Sequence, residues 1–312
     1  MSREQMAPYR SMLFVPGHKE SWVDKAVASG ADALILDLED AVPGQEKLLA
    51  RRVVRAATER LRTAGVSTGL WVRPNAWETG LAGEDIEAVL NPSLDGLFLP
   101  KIYDERDVFR FDVILEHVER KVGMPVGRTK LLLTLETASA MSACETLARS
   151  NQRVVSMLGA TARDADTARA LGYIQTPAGL ETLYLRSKVV LACRAAGLDH
   201  PVCGLWQDIA DLDGLQNFAR QNRELGYRGQ VILHPSHVGP VHAVFSLSDD
   251  EINFYRGMVA AFEQAEEAGN GAVLYQGQHI DAAHAKTARE AVARGERMSA
   301  MTANTNTGGK SL

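Results

Sequence analysis

Eight short apolar runs alternate with eight helix-patterned stretches along this chain, and that alternation narrows the available folds more than any other feature. The runs fall at 11–15, 33–36, 69–75, 94–99, 130–137, 154–159, 201–206 and 229–233. The helical stretches fall at 20–29, 47–64, 84–90, 105–122, 139–148, 180–196, 213–225 and 249–268, several of them closed by glycine, as at Gly30, Gly65, Gly197 and Gly226. Strands that alternate with helices imply βαβ units and a parallel sheet. Eight units predict an α/β protein with a closed (β/α)8 TIM barrel. The alternative is an open doubly wound sheet, which usually carries a glycine-rich phosphate turn after its first strand. Pro16-Gly17-His18-Lys19 is not such a turn.

The fifth run, Lys130-Leu131-Leu132-Leu133-Thr134-Leu135-Glu136-Thr137, ends on a carboxylate. A run this apolar fits a strand buried on both faces. An unpaired carboxylate inside the sheet would be very costly, so Glu136 is expected where the strand emerges, facing a cation or a substrate.

Barrel active sites lie at the C-terminal ends of the strands. Here those ends carry Asp37, Glu39 and Asp40, then Arg73 and Asn75, Lys101, Glu136, Asp164 and Asp166, and His234. Carboxylates favour a hard cation, and Mg²⁺ usually takes one or two of them and leaves its other positions to water and substrate. Zinc fits poorly, because there is no HxxxH or CxxC pattern. His18, His117, His200, His237, His242, His279 and His284 are scattered and read as surface or structural residues. Arg73 supplies a fork suited to a substrate carboxylate, or to Glu39 or Asp40 as an ion pair. A metal beside an arginine holds an α-keto acid and stabilises enolate or alkoxide charge, which is aldol or Claisen chemistry in either direction. Lys101 is not placed for a Schiff base and reads as an anion-positioning group.

A net charge of -5 gives no electrostatic case for nucleic acid or an anionic membrane. No apolar run approaches the ~20 residues of a membrane span, and Met1 to Arg10 lacks the apolar centre of a signal peptide. Cys144, Cys193 and Cys203 are odd in number and sit among apolar or small residues, so reduced thiols in a cytoplasm are expected.

Arg10-Ser11-Met12-Leu13-Phe14-Val15-Pro16-Gly17, Asp37-Leu38-Glu39-Asp40-Ala41-Val42, Val72-Arg73-Pro74-Asn75, Leu99-Pro100-Lys101 and Leu135-Glu136-Thr137 resemble the citrate lyase beta-subunit-like proteins of the HpcH/HpaI aldolase and malyl-CoA lyase superfamily. Thr176-Pro177-Ala178-Gly179, His234-Pro235-Ser236 and Gly277-Gln278-His279-Ile280-Asp281 extend the likeness, which runs from about Arg10 to Arg294. The resemblance implies Mg²⁺-dependent cleavage or formation of a C–C bond, with an oxo-acid and an acyl thioester on coenzyme A or a carrier protein as partners. It implies Glu136 as a metal ligand, and Arg73 as the group that binds the oxo-acid or acyl carboxylate. Lys101, Arg10 and Pro16 are its further substrate contacts, and Glu39 and Asp40 sit in the carboxylate cluster behind the metal. Asp281 matches an acid in a C-terminal lid that covers a neighbouring subunit's site, in trimers or larger homo-oligomers such as hexamers. Two departures stand out. The usual Gly-x-x-Asp after strand six is lengthened to Gly159-Ala160-Thr161-Ala162-Arg163-Asp164-Ala165-Asp166, where counting back from Leu171-Gly172 favours Asp166 as second ligand, with Asp164 as the alternative. Strand seven carries Cys203-Gly204-Leu205-Trp206 where an Asp is usual.

The expected organisation is a barrel over 1–268, a lid segment over 269–298 and a disordered tail over 299–312. The expected activity is a Mg²⁺-dependent lyase of the citryl- or malyl-thioester type. The alternatives are an aldolase that uses free pyruvate or oxaloacetate with an aldehyde, and a metal- or acyl-binding protein without catalysis.

Overall fold

The computed structural model describes residues 5–308, with side chains described as far as residue 300. Two compact units divide the chain between Phe245 and Ser246. The first contains β1 (Ser11–Pro16), α1 (Glu20–Ala28), β2 (Ala33–Asp37), α2 (Lys47–Thr63), β3 (Gly69–Arg73), α3 (Ala82–Val89), β4 (Gly96–Leu99), α4 (Glu105–Lys121) and β5 (Lys130–Leu135). It continues through α5 (Ala138–Ser142), α6 (Cys144–Arg149), β6 (Val154–Gly159), α7 (Asp166–Leu171), α8 (Leu180–Ala195), β7 (Val202–Cys203), α9 (Leu212–Leu225), β8 (Gly229–Ile232) and α10 (Val238–Phe245). The strands pair in parallel in the order of the sequence, and β8 closes on β1 through Ser11 and Gln230, so the expected (β/α)8 barrel is the fold.

Alternation along each strand sorts its side chains into two layers. Leu13, Val15, Leu34, Leu36, Leu70, Val72, Leu97 and Leu99 join helix residues such as Val23, Val54, Leu61, Ile86 and Phe111 in the layer between sheet and helices. Each such side chain contributes roughly 1.5–3 kcal/mol by leaving water. The opposite parity fills the barrel. Phe14 and Phe98 meet edge to face with ring centroids 5.5 Å apart. Asp37 shares parity with Ile35, and Arg73 with Trp71, so both charged groups cap the interior column at the C-terminal rim. Gly17 is required beside them, since a Cβ there would stand 2.5 Å from the Asp37 carbonyl oxygen.

The structure departs from the sequence reading in several places. The helix after β8 is the short α10; the long helix α11 (Asp249–Glu267), read from sequence as the eighth barrel helix, belongs to the second unit. There it packs Met258 and Phe262 against Ile280, Ala285 and Ala288, burying its apolar stripe on β9 (Ala272–Tyr275), β10 (Gln278–Asp281) and α12 (Ala282–Gly308). The tail expected to be disordered from residue 299 is helical to Gly308, and 309–312 lie outside the described residues. The stretch 139–148 breaks into α5 and α6 at Ala143, and β7 is only two residues long. The lengthened loop after β6 contains α7, which begins at Asp166.

Candidate active site

Asp37 is fully buried at the end of β2 and makes four hydrogen bonds. Its Oδ1 accepts from Glu39 N (2.9 Å) and Arg73 Nε (2.6 Å), and its Oδ2 from Ala41 N (3.0 Å) and Arg73 Nη2 (2.8 Å). Burial pushes its pKa up, but the Arg73 fork and the two backbone donors outweigh that and hold it below the usual carboxylate range. Arg73 also lies 3.1 Å from Glu39 through Nη1 and 4.7 Å over the Phe14 ring. A guanidinium has five N–H groups. The Asp37 pair uses Nε–H and one N–H of Nη2, and Nη1 approaches Glu39 only as an ion pair, so N–H groups remain on both Nη1 and Nη2.

Glu39 is buried, and burial raises its pKa despite its two cationic neighbours, Arg73 and Lys101. Lys101 Nζ donates to Glu39 Oε1 at 2.8 Å and to Asp40 Oδ1 at 3.2 Å. The 3.1 Å approach of Arg73 to Glu39 Oε2 lacks hydrogen-bond alignment, so this buried oxygen accepts no hydrogen bond. Lys101 sits in the left-handed backbone region (φ 47°), strain of order 1 kcal/mol for a non-glycine residue. In that conformation its own N–H reaches Glu136 Oε1 at 2.7 Å. Thr137 anchors the same corner: its hydroxyl donates to the Ile102 carbonyl (2.9 Å) and accepts from Ala140 N (3.0 Å) as the cap of α5.

Glu136 has its pKa pushed up to about 7. Burial is the main cause, and the charges of Glu39 and Asp166 add to it against the Lys101 N–H and Arg73. Asp166, at the start of α7, is therefore in electrostatic reach of Glu136. Its side chain is 26% exposed and paired with Arg169, whereas Asp164 is 91% exposed, left-handed (φ 53°) and 3.9 Å from Arg163. A cavity of about 460 Å³ opens at the rim, with Phe14, Pro16, Asp37, Arg73, Leu205 and His234 among its lining residues.

Arg10 is corrected: it precedes β1 and forks onto Asp32, just before β2, with Nη2 to Oδ1 at 2.7 Å. It therefore belongs to the N-terminal end of the barrel, away from the mouth. Three groups that sequence reasoning left out support the site. Lys47 Nζ, on α2, donates to the Leu38 and Glu39 carbonyls (2.6 and 2.7 Å) and to Asn75 Oδ1 (2.7 Å). Asn75 is held by Asp85 Oδ2 through its backbone N (2.7 Å) and its Nδ2 (2.6 Å), and Arg51 Nε grips Asp85 Oδ1 at 2.7 Å. The network ties the loop after β2 to the loop after β3, and so fixes Glu39 relative to Arg73.

Comparison with known proteins bears directly on this mouth. The family model described as HpcH/HpaI aldolase/citrate lyase matches residues 10–235. The chain belongs to the HpcH/HpaI aldolase/citrate lyase family. It is thus a lyase-family enzyme. A (3S)-malyl-CoA thioesterase of Cereibacter sphaeroides is 33% identical over 301 residues, covering 96% of this chain and 99% of that protein. The citrate lyase subunit beta of Escherichia coli is 30% identical over 288 residues, covering 92% and 93%. A CitE protein of Mycobacterium tuberculosis, solved with magnesium, acetoacetate and coenzyme A, superposes with a TM-score of 0.71 at 25% identity over 92% of this chain and 98% of that one.

Magnesium in a relative raises the question whether these residues suit the ion. Among the described residues no group of three or more His, Cys, Asp or Glu is arranged to hold a metal. Two carboxylates suffice for Mg²⁺. Burial does most to lift Glu136 to about 7, the negative charges of Glu39 and Asp166 add to it, and a divalent cation would offset both. The donor set fits. Among the described residues, no helix is long and apolar enough to cross a membrane, and the three cysteines are free and buried.

Proposed function

We propose that this protein is a Mg²⁺-dependent carbon–carbon lyase that cleaves a citryl- or malyl-type hydroxyacyl thioester, or forms it in reverse. The observation that carries the reading is the buried Glu136, raised to about 7 beside Asp166, in the same electrostatic cluster as the half-used Arg73 fork. Glu136 and Asp166 would hold the ion, which supplies Lewis-acid stabilisation of oxygen charge. The remaining N–H groups on Nη1 and Nη2 of Arg73 bind the oxo-acid carboxylate. Lys101 and Arg73 keep Glu39 in place between them. The hydroxyl loses its proton, the C–C bond breaks, and the electron pair passes to the acetyl thioester, which takes a proton at carbon. We assign both transfers to Asp281 of a second copy of this chain, whose carboxylate takes the hydroxyl proton and then delivers it to the carbon. Asp281 Oδ1 lies 2.6 Å from His284 Nδ1, a contact that holds the carboxyl below its usual range and keeps it ionised and able to accept a proton.

The test is product analysis with a malyl thioester of coenzyme A and Mg²⁺. The lyase reading expects glyoxylate and acetyl-CoA. Malate and free thiol would mark thioester hydrolysis, as named for the Cereibacter relative, and would overturn it. Glu136→Ala is expected to abolish turnover with the circular dichroism spectrum unchanged; full activity in that variant would rule out the site.

A further inference from the structure

His234 lies two residues beyond the end of β8 and caps the turn that follows, and it lines the mouth cavity with Arg73 and Asp37. Its Nδ1 lies 3.2 Å from Ser236 N and 2.8 Å from Ser236 Oγ. A main-chain N–H only donates, so Nδ1 holds a lone pair and the neutral ring carries its proton on Nε2. Asp37 does not compete for that proton, because each of its oxygens already accepts two hydrogen bonds. Apart from Asp37, the hydrogen-bonding side chains of the cavity are Arg73, His234, and Lys25 and Trp22 on α1, at the far side of the cavity's first strand. Arg73 suits a full carboxylate charge. A neutral N–H suits an oxygen that is uncharged in the substrate and gains charge only during reaction.

We propose that His234 is a further catalytic residue of this site, donating its Nε2–H to the thioester carbonyl oxygen while C–C cleavage places enolate charge there. The proposal rests on the lyase reading above. As the bond breaks, the electron pair of the C–C bond moves onto that carbonyl oxygen. It returns to form a C–H bond when the carbon takes a proton. In this step His234 shares its Nε2–H with the oxygen and transfers no proton. Ser236 is the positioning residue that fixes the tautomer.

The test uses the full chain with Mg²⁺ and a malyl thioester of coenzyme A. Removing one such donor elsewhere costs about 10²–10³ in kcat, and the exposed rim places His234→Ala at about 10- to 100-fold. Mg²⁺-dependent binding of oxaloacetate, measured by calorimetry, is expected to stay within about twofold of wild type. His234→Gln puts an amide N–H near the place of Nε2–H and is expected to recover most of the loss. His234→Asn, which mimics the other ring nitrogen, is not. Wild-type kcat in His234→Ala, equal losses in the Ala and Gln variants, or loss of oxaloacetate binding would each overturn the proposal. A second measurement does not depend on turnover. In ¹⁵N-histidine-labelled protein, acetyl-CoA is expected to move the His234 Nε2 signal, identified by its disappearance in His234→Ala. No movement overturns the donor role. Failure of the wild type to cleave the C–C bond instead overturns the lyase reading.

Discussion

Arg73 illustrates how one side chain both builds a site and leaves chemistry available. Its fork onto Asp37 is fully desolvated on the carboxylate side, so the pair fixes the guanidinium plane while N–H groups remain on both terminal nitrogens. Lysine retains the charge and loses the fork. Arg73→Lys is therefore expected to raise the KM for the oxo-acid about 10- to 100-fold, the loss of a charge-assisted hydrogen bond of ~1.5–3 kcal/mol, and steady-state kinetics checks it. Glu136 gives a pH prediction with a definite sign. Its folded pKa of about 7 lies above the ordinary 4.5, so the metal-free protein holds this proton more tightly folded than unfolded. The contribution to stability is present below the ordinary value and is lost as pH rises through about 7. Mg²⁺ competes with the same proton. Calorimetry across pH 5.5–8.5 is expected to show affinity rising about tenfold per pH unit below 7 and levelling above it; a flat profile would contradict the assignment of Glu136 as ligand.

At the scale of elements, the strand ends were the legible part. Apolar runs that stop at Asp37, Arg73, Lys101 and Glu136 could be read as one rim because parallel barrel strands all emerge on the same side. The family resemblance, by contrast, misplaced Arg10. Motif likeness runs straight through β1, yet its two ends are about 20 Å apart at ~3.3 Å per residue, so Arg10 and Pro16 face opposite ends of the barrel. Lys47 was illegible for a different reason. It reads as the first residue of an amphipathic helix, and nothing in its spacing shows that its ammonium reaches back to the Leu38 and Glu39 carbonyls. The layer between sheet and helices predicts its own cost. Leu36→Ala, on β2 one residue before Asp37, is expected to destabilise by about 2–5 kcal/mol in urea unfolding, since Leu36 is fully buried in that layer. A cost under about 1 kcal/mol would contradict the packing described.

For the whole molecule, the regular alternation concealed the division at Phe245. Helix α11 carries a stripe that fits a barrel helix as well as it fits the hairpin it packs on, and a period alone does not name the partner of a helix. The second unit holds Asp281, and a role in a neighbouring copy predicts complementation. Glu136→Gln and Asp281→Asn are each expected to be inactive alone, and after mixing and reassembly to regain activity that neither has. No recovery on mixing would contradict Asp281 acting in trans. The proposed chemistry requires an ion and an oxo-acid to meet at the rim. A crystal structure with Mg²⁺ and oxaloacetate tests this most directly. The expected result is Mg²⁺ bonded to Glu136 and Asp166 at about 2.0–2.1 Å, with the oxaloacetate carboxylate on the Nη1 and Nη2 groups of Arg73. An ion bound elsewhere, or oxaloacetate that leaves Arg73 untouched, would contradict it.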